Sequence, residues 1–328
     1  GGLPGREMPK ELEKEEIQEL IEYYRVSAEN ARAGGFDGVE VHAGSSYLPH
    51  QFISPFWNRR TDEYGGSLEN RMRFLLQIID RIRQAIGPNM ALGVRVTVDD
   101  FRPIGLGINE MKEVAKRLEA TGKVHFIDVN VGYHASDLIH PTMYQPHALL
   151  VPYSAALKEV LSIPVVAITR IVDPREAEKI LADGHADLIG MVRAHMADPE
   201  LGNKAREGRL DEIRFCTGCC QLCFGLVAKA LPIGCTQNPT MGREKMWGIG
   251  TVKPAARKKR VMVIGGGPGG MEAAWVAASR GHQVTLYEKN QELGGQVNLA
   301  VKLPGRQEIG EFVRWRKVMV EKHGVKVV

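Results

Sequence analysis

Apolar positions recur along this chain in two alternating rhythms. Ile17, Leu20, Ile21, Tyr24, Ala28 and Ala31 form a stripe of 3.6-residue period that predicts a helix closed by Gly34 and Gly35. Residues 38–42 then read as a short strand. A polar, aromatic, turn-rich segment follows over 43–66, longer than a plain connection and of a kind that usually carries function. Leu68, Met72, Leu75, Ile79, Ile82 and Ile86 predict a strong second helix, with Ser67 as N-cap and Gly87-Pro88 as its stop.

The same strand-then-helix unit repeats four more times. Strands at 91–97, 124–131, 165–169 and 188–192 precede helices at 109–121, 153–161, 173–182 and 199–207. Apolar strands alternating with amphipathic helices imply an α/β protein with a parallel sheet, either doubly wound or a (β/α)8 TIM barrel. His42, Arg95, His134, Arg170 and Arg193 all fall where strands end, and a barrel builds its site on that rim with phosphate held by its last two loops. If Arg170 and Arg193 mark those two loops, the strand at Val39 is the fourth. The chain is then expected to be a fragment, the C-terminal five βα units of a barrel.

A different pattern begins near residue 258. Residues 260–264 predict a strand, Gly265, Gly267 and Gly270 supply G-x-G-x-x-G, a helix runs to Arg280, and a second strand at 284–288 ends in Glu288, 18 residues past the last glycine. Strand, glycine loop, helix, strand and acid together are the dinucleotide-binding arrangement: the helix N-terminus faces a pyrophosphate and the acid faces ribose hydroxyls. The expected domains are a partial barrel over 1–208, a cysteine segment and linker over 209–257, and a partial Rossmann-like domain over 258–328.

Composition narrows the class. The chain has 328 residues, 44% hydrophobic and 25% charged, with a net charge of +4, as in ordinary globular proteins. The only basic run, Arg257 to Arg260, reads as a solvated linker end. No nucleic acid or membrane is expected as a partner, and a cytoplasmic setting is expected. Neither charge nor pattern specifies an oligomeric state.

All five cysteines lie in one stretch, as Cys216-x2-Cys219-x3-Cys223-x11-Cys235 with Cys220 left over. Three near thiols and one remote thiol suit an iron–sulfur cluster of the 4Fe-4S type. A zinc site would more often bring two Cys-x2-Cys pairs, and simple packing of buried cysteines is a third reading. Cys220 is expected to point away and be inert.

Arg60-Thr-Asp-Glu-Tyr-Gly-Gly-Ser-Leu-Glu-Asn-Arg71, the four spaced cysteines followed by Thr236-Gln-Asn-Pro239, and the loop Gly265–Gly270 together resemble the old yellow enzyme superfamily. More narrowly they resemble its iron–sulfur flavoproteins, the bacterial 2,4-dienoyl-CoA reductases and trimethylamine dehydrogenase. The resemblance covers nearly the whole chain. It implies FMN in the barrel, a 4Fe-4S cluster on Cys216, Cys219, Cys223 and Cys235, and FAD (or ADP) with NAD(P)H in the C-terminal part. Electrons would pass from FAD through the cluster to FMN and on to an unsaturated carbonyl or CoA thioester.

The same resemblance assigns residues. Tyr47 matches the proton donor, His134 its partner and His42 a substrate-carbonyl contact. Arg95 matches the arginine beside the flavin ring, a structural ion pair being the alternative. Thr169, Arg170, Gly190, Met191, Val192 and Arg193 are expected around the FMN phosphate, where Arg offers a forked donor. Gly294, Gly295 and Gln296 resemble a second FAD contact. Ser45 stands where the amine dehydrogenase has a triad histidine, which favours alkene reduction over the alternative, an amine dehydrogenase or N-demethylase. A nucleotide-binding redox sensor is the non-enzymatic alternative.

Overall fold

The computed structural model describes residues 10–133 and 138–328. The expected alternation is present. In order run α1 Lys14–Ala33, β1 Gly38–Ala43, α2 Leu48–Ile53, α3 Leu68–Ile86, β2 Ala91–Thr97, α4 Ile108–Ala120, β3 Phe126–Asn130, α5 Val151–Lys158, β4 Val165–Ala167, α6 Pro174–Ala182 and β5 Leu188–Ile189. Helices α7 Val192–Ala197, α8 Leu201–Arg206, α9 Phe224–Val227 and α10 Glu244–Trp247 lead to β6 Arg260–Ile264, α11 Pro268–Ser279, β7 Gln283–Tyr287, α12 Val297–Ala300, α13 Glu311–Lys322 and β8 Lys326–Val327.

The first sheet has the order β1-β2-β3-β4-β5. Strands β1 to β4 pair in parallel, with His42 beside Arg95 and Arg95 beside Asp128. A doubly wound sheet reverses its strand order at a switch point; here each strand lies next to its successor, as in a barrel wall. Strand β2 is buried along most of its length, as a parallel strand covered on both faces should be. Ser67 Oγ accepts from the Asn70 amide, capping α3 as expected, and Gly87 closes the helix at φ 71°. Phe74, Leu75, Ile78 and Ile79 are fully buried on α3, each worth about 1.5–3 kcal/mol of burial.

The second sheet has the order β6-β7-β8, all parallel, which is the half-sheet a mononucleotide-binding unit requires. Its core contains Met271, Ala274, Val284, Leu286, Val313 and Val320.

The chain divides into two compact units. The first holds residues up to Ile139 with Leu150–Ile168 and Asp183–Leu188; the second holds His140–Leu149, Thr169–Ala182 and Ile189–Val328. The loops after β4 and β5 therefore belong with the cysteine segment and the second sheet. Two expectations are corrected locally. Segment 43–66 contains α2, which Pro49 in its first turn helps to start. The strand at 188–192 stops after two residues, because the backbone turns into α7 at Val192.

Candidate functional site

In the first unit the rim is built by the turn between β1 and α2. Ser45 and Ser46 both adopt left-handed backbone, φ 55° and 60°, a conformation costing about 1–2 kcal/mol per non-glycine residue. Buried polar groups hold it there. The Ser45 amide donates to Thr97 Oγ1 at 2.7 Å, and Asn130 Nδ2 donates to Ser45 Oγ at 2.6 Å. The Ser46 amide donates to His50 Nδ1 at 2.8 Å. His50 Nε2 in turn lies 2.8 Å from Asp100 Oδ1, both side chains being buried. Burial opposes the charge on Asp100, but His50, the Ser54 hydroxyl and the Leu106 amide outweigh it and hold the carboxyl below the usual carboxylate range.

This turn brings His42 and Tyr47 together, with ring centroids 4.7 Å apart. Tyr47 is 47% exposed and is the N-cap of α2. In the loop after β2 the Arg102 guanidinium lies 4.1 Å from the Tyr133 ring centroid and 5.2 Å from that of Phe56. His134, the expected partner of Tyr47, lies outside the described residues.

Arg95 takes the ion-paired arrangement. Its Nη2 is 2.5 Å from Asp128 Oδ2 and its Nε 3.2 Å from Glu40 Oε1. Burial, then the neighbouring Asp128 charge, push Glu40 up to about 7, while Arg95 opposes the shift. Burial likewise raises Asp128. One guanidinium thus serves two carboxyls whose charged forms burial disfavours.

In the second unit, Cys216, Cys219, Cys220, Cys223 and Cys235 line one cavity together with Thr217, Met196, Leu222, Thr236 and Gln237. Cys220 therefore does not point away as expected. Its Sγ is 3.2 Å from Arg193 Nη1, and it is hydrogen-bonded to Cys223, an interaction that lowers Cys223 to about 6 and raises Cys220. Burial pushes Cys216 up to about 11.

Among the described residues, no group of three or more His, Cys, Asp or Glu side chains is arranged to hold a metal ion. The fit to a cluster rests instead on the donor set. Four spaced thiols face one space, and the buried Thr217 Oγ1 in its wall has no hydrogen-bond partner among the described residues.

The chain after Cys235 is anchored by cations. Arg316 donates to Gln237 Oε1 at 3.1 Å and sits 2.7 Å from Glu272, while Arg214 donates to Gln237 O and Asn238 Oδ1 and stacks 3.8 Å over Trp315. Sequence reasoning missed these residues. Buried Gln237 was visible only as part of a short motif.

The expected phosphate residues behave unevenly. Thr169 and Arg170 hold left-handed backbone at φ 82° and 58°. The buried Arg170 guanidinium, however, is taken by Glu308 at Oε1, and Arg193 Nη1 donates to Pro141 O at 2.8 Å. Both side chains thus make protein contacts in this structure. Backbone at Gly190, Met191 and Val192 enters the first turn of α7.

The nucleotide fingerprint comes together as expected. A Cβ on Gly270 would lie 1.9 Å from Gly265 O, so only glycine allows that close approach. Glu288 accepts from the Gly266 amide at 2.7 Å, and the Gly294 amide donates to Gly266 O at 2.8 Å. Backbone donors from Asn290 and Gly266 hold Glu288 below the usual carboxylate range. Gly295 packs beside Gly267, and Gln296 occupies the position before α12 without a side-chain capping bond.

A barrel-type parallel wall with a polar rim, joined in sequence to a dinucleotide-binding half-sheet, defines a nucleotide-dependent oxidoreductase class. The chain belongs to the NADH:flavin oxidoreductase / NADH oxidase family, whose model matches residues 4–212, and residues 263–309 match the NAD(P)-binding Rossmann-like domain. It falls in the branch of the old yellow enzyme superfamily that its motifs suggested.

It is 43% identical to an NADH oxidase of Thermoanaerobacter brockii, over 97% of this chain and 49% of that protein. It is 40% identical to an N,N-dimethylglycine/sarcosine dehydrogenase of Chromohalobacter salexigens, over 93% of this chain and 45% of that protein. The solved 2-naphthoyl-CoA reductase complex superposes with a TM-score of 0.93 at 38% identity, covering 97% of this chain and 48% of that one. The chain spans about half the length of the curated relatives it matches. Among the described residues no helix is long and apolar enough to cross a membrane.

Proposed function

We propose that the protein uses NAD(P)H to reduce activated C=C bonds in small unsaturated carbonyl compounds or CoA thioesters. FMN would be bound by the barrel over 1–208, with Arg95 near its ring and Thr169, Arg170, Gly190, Met191, Val192 and Arg193 near its phosphate. Cys216, Cys219, Cys223 and Cys235 over 209–257 would hold the 4Fe-4S cluster. FAD and NAD(P)H would be bound through Gly265, Gly267, Gly270, Glu288, Gly294, Gly295 and Gln296 over 258–328. When bound, these groups supply hydride and single-electron transfer.

The protein's own side chains supply the proton. Hydride addition at one end of a conjugated carbonyl system leaves an enolate that must be protonated, and a positioned acid accelerates such a step by about 10²–10⁴-fold. Tyr47 is that acid in this reading, and His42 beside it polarises the carbonyl. The paired rings 4.7 Å apart on an exposed rim are the observation that carries the proposal. Loading a phosphate site would require Arg170 to exchange Glu308 for the ligand.

The dimethylglycine/sarcosine dehydrogenase relative favours a second reading, outward oxidation of an N-methylated amine. Ser45 weighs against it, since its hydroxyl is buried and engaged by Asn130. Anaerobic absorbance of the full-length protein separates the two. Bleaching of the flavin by NAD(P)H and recovery with cinnamoyl-CoA supports reduction. Bleaching by dimethylglycine, with NAD(P)H inert, overturns it.

A further inference from the structure

We propose that the buried His50–Asp100 pair is a positioning device for the rim, holding the Ser45–Ser46 turn in its left-handed form so that Tyr47 stands beside His42. This rests on reading Tyr47 as the proton donor. His50 lies on α2 and Asp100 after β2, and both are fully buried. Neither is needed for packing alone, since an apolar pair would fill the space without two groups that must find partners.

The hydrogen bonds fix a single arrangement. A backbone N–H can only donate, so the Ser46 amide makes His50 Nδ1 an acceptor at 2.8 Å. The imidazole proton therefore resides on Nε2, which faces Asp100 Oδ1 at 2.8 Å. The other oxygen, Asp100 Oδ2, accepts from Ser54 Oγ at 2.5 Å and from the Leu106 amide at 2.8 Å. Asp100 thus sets the tautomer of His50, and that tautomer accepts the Ser46 amide. Asp100 also ties α2 to the loop whose Arg102 lies over Tyr133, the residue before His134. The pair joins α2, which follows Tyr47, to the loop after β2.

An isosteric change inverts this chain of bonds. In D100N the two donors at Oδ2 claim the amide oxygen, so the amide NH2 faces His50 Nε2. The imidazole proton must then move to Nδ1, where it opposes the Ser46 N–H. Adding H50N removes that conflict, because an asparagine oxygen can occupy the place of Nδ1.

The test uses the full-length, cofactor-loaded protein. Flavin reduction by NAD(P)H, reoxidation by cinnamoyl-CoA and amide hydrogen exchange at Ser46 are measured for D100N and D100N/H50N, each with Tyr47 and with Y47F. D100N is expected to slow reoxidation about 10- to 100-fold, leave flavin reduction unchanged and speed Ser46 exchange. H50N should reverse the last effect and most of the first, and D100N should add nothing in the Y47F background.

Unchanged Ser46 exchange in D100N, or equal slowing of reoxidation with and without Tyr47, overturns the proposal. If Y47F itself reoxidises at the wild-type rate, the proton-donor reading fails separately. Ser46 exchange then decides whether the pair positions the turn. Should D100N fail to load flavin, H50N alone must keep Ser46 protected, and loss of that protection overturns the proposal.

Discussion

The two units bury polar groups in opposite ways. Around Ser45 in the first unit, Thr97, Asn130, His50 and Asp100 form a hydrogen-bonded web that fixes the backbone carrying an exposed tyrosine. Around the cysteines in the second, the guanidiniums of Arg193, Arg214 and Arg316 surround or brace the thiols and the chain after Cys235. A connected polar web is rigid. A cationic wall lowers the energy of negative charge. In the proposed reading the first unit would aim one proton and the second would hold an anionic centre.

The largest predicted effect lies in the second unit. C235A removes the remote thiol and should drop iron in the full-length protein from about four atoms per chain towards none, read by metal analysis; full retention would break the comparison. Y47F should slow reoxidation by cinnamoyl-CoA about 10²–10⁴-fold with flavin reduction by NAD(P)H unchanged, as followed by stopped-flow absorbance. R316M leaves Glu272 and Gln237 without their buried partner. Removing one member of such a pair costs about 3–5 kcal/mol, or about 10 °C in Tm, measurable by calorimetry.

T97V preserves shape but orphans the Ser45 amide. It should cost about 1–3 kcal/mol, and its denaturation midpoint should fall while the iron content stays. The smallest effect is one of pH. Glu176 and Glu308 raise His147 to about 9 against burial and the Arg170 charge, from about 6.5 when unfolded. A raised histidine stabilises fully below the unfolded value and loses that stability as pH rises through the folded one. Tm should therefore decline by roughly 2 °C between pH 6.5 and 9, and E308Q should flatten the curve. A rise across that window would contradict the assignment.

Most of the fold was legible because burial writes itself as periodicity. The stripe on α3, with Ser67 and Gly87 at its ends, is an example of a pattern that tertiary contacts then reinforced. Helix α2 was missed because six residues cannot display a period, although Pro49 marks its start. The cysteines and the glycine loop were legible because their chemistry needs neighbours close in sequence.

His50 with Asp100, and Arg316 with Gln237, were not legible, because their partners lie 50 and 79 residues apart. Nothing local distinguishes a buried pair of this kind from surface charges. Arg170 also has a distant partner. Its position at a strand end suggested an anion site, yet the carboxylate that occupies its guanidinium comes from Glu308, 138 residues later.

The direction of the reaction is tested most directly by turnover of cinnamoyl-CoA with NAD(P)H in D2O, using the full-length protein and reading the product by NMR. The account predicts a saturated thioester with a solvent deuterium on the carbon next to the carbonyl, delivered through the exchangeable Tyr47 hydroxyl, and a second on the adjacent carbon, because a hydride assembled from single electrons takes its hydrogen from solvent. No product, together with flavin bleaching by dimethylglycine alone, would contradict it.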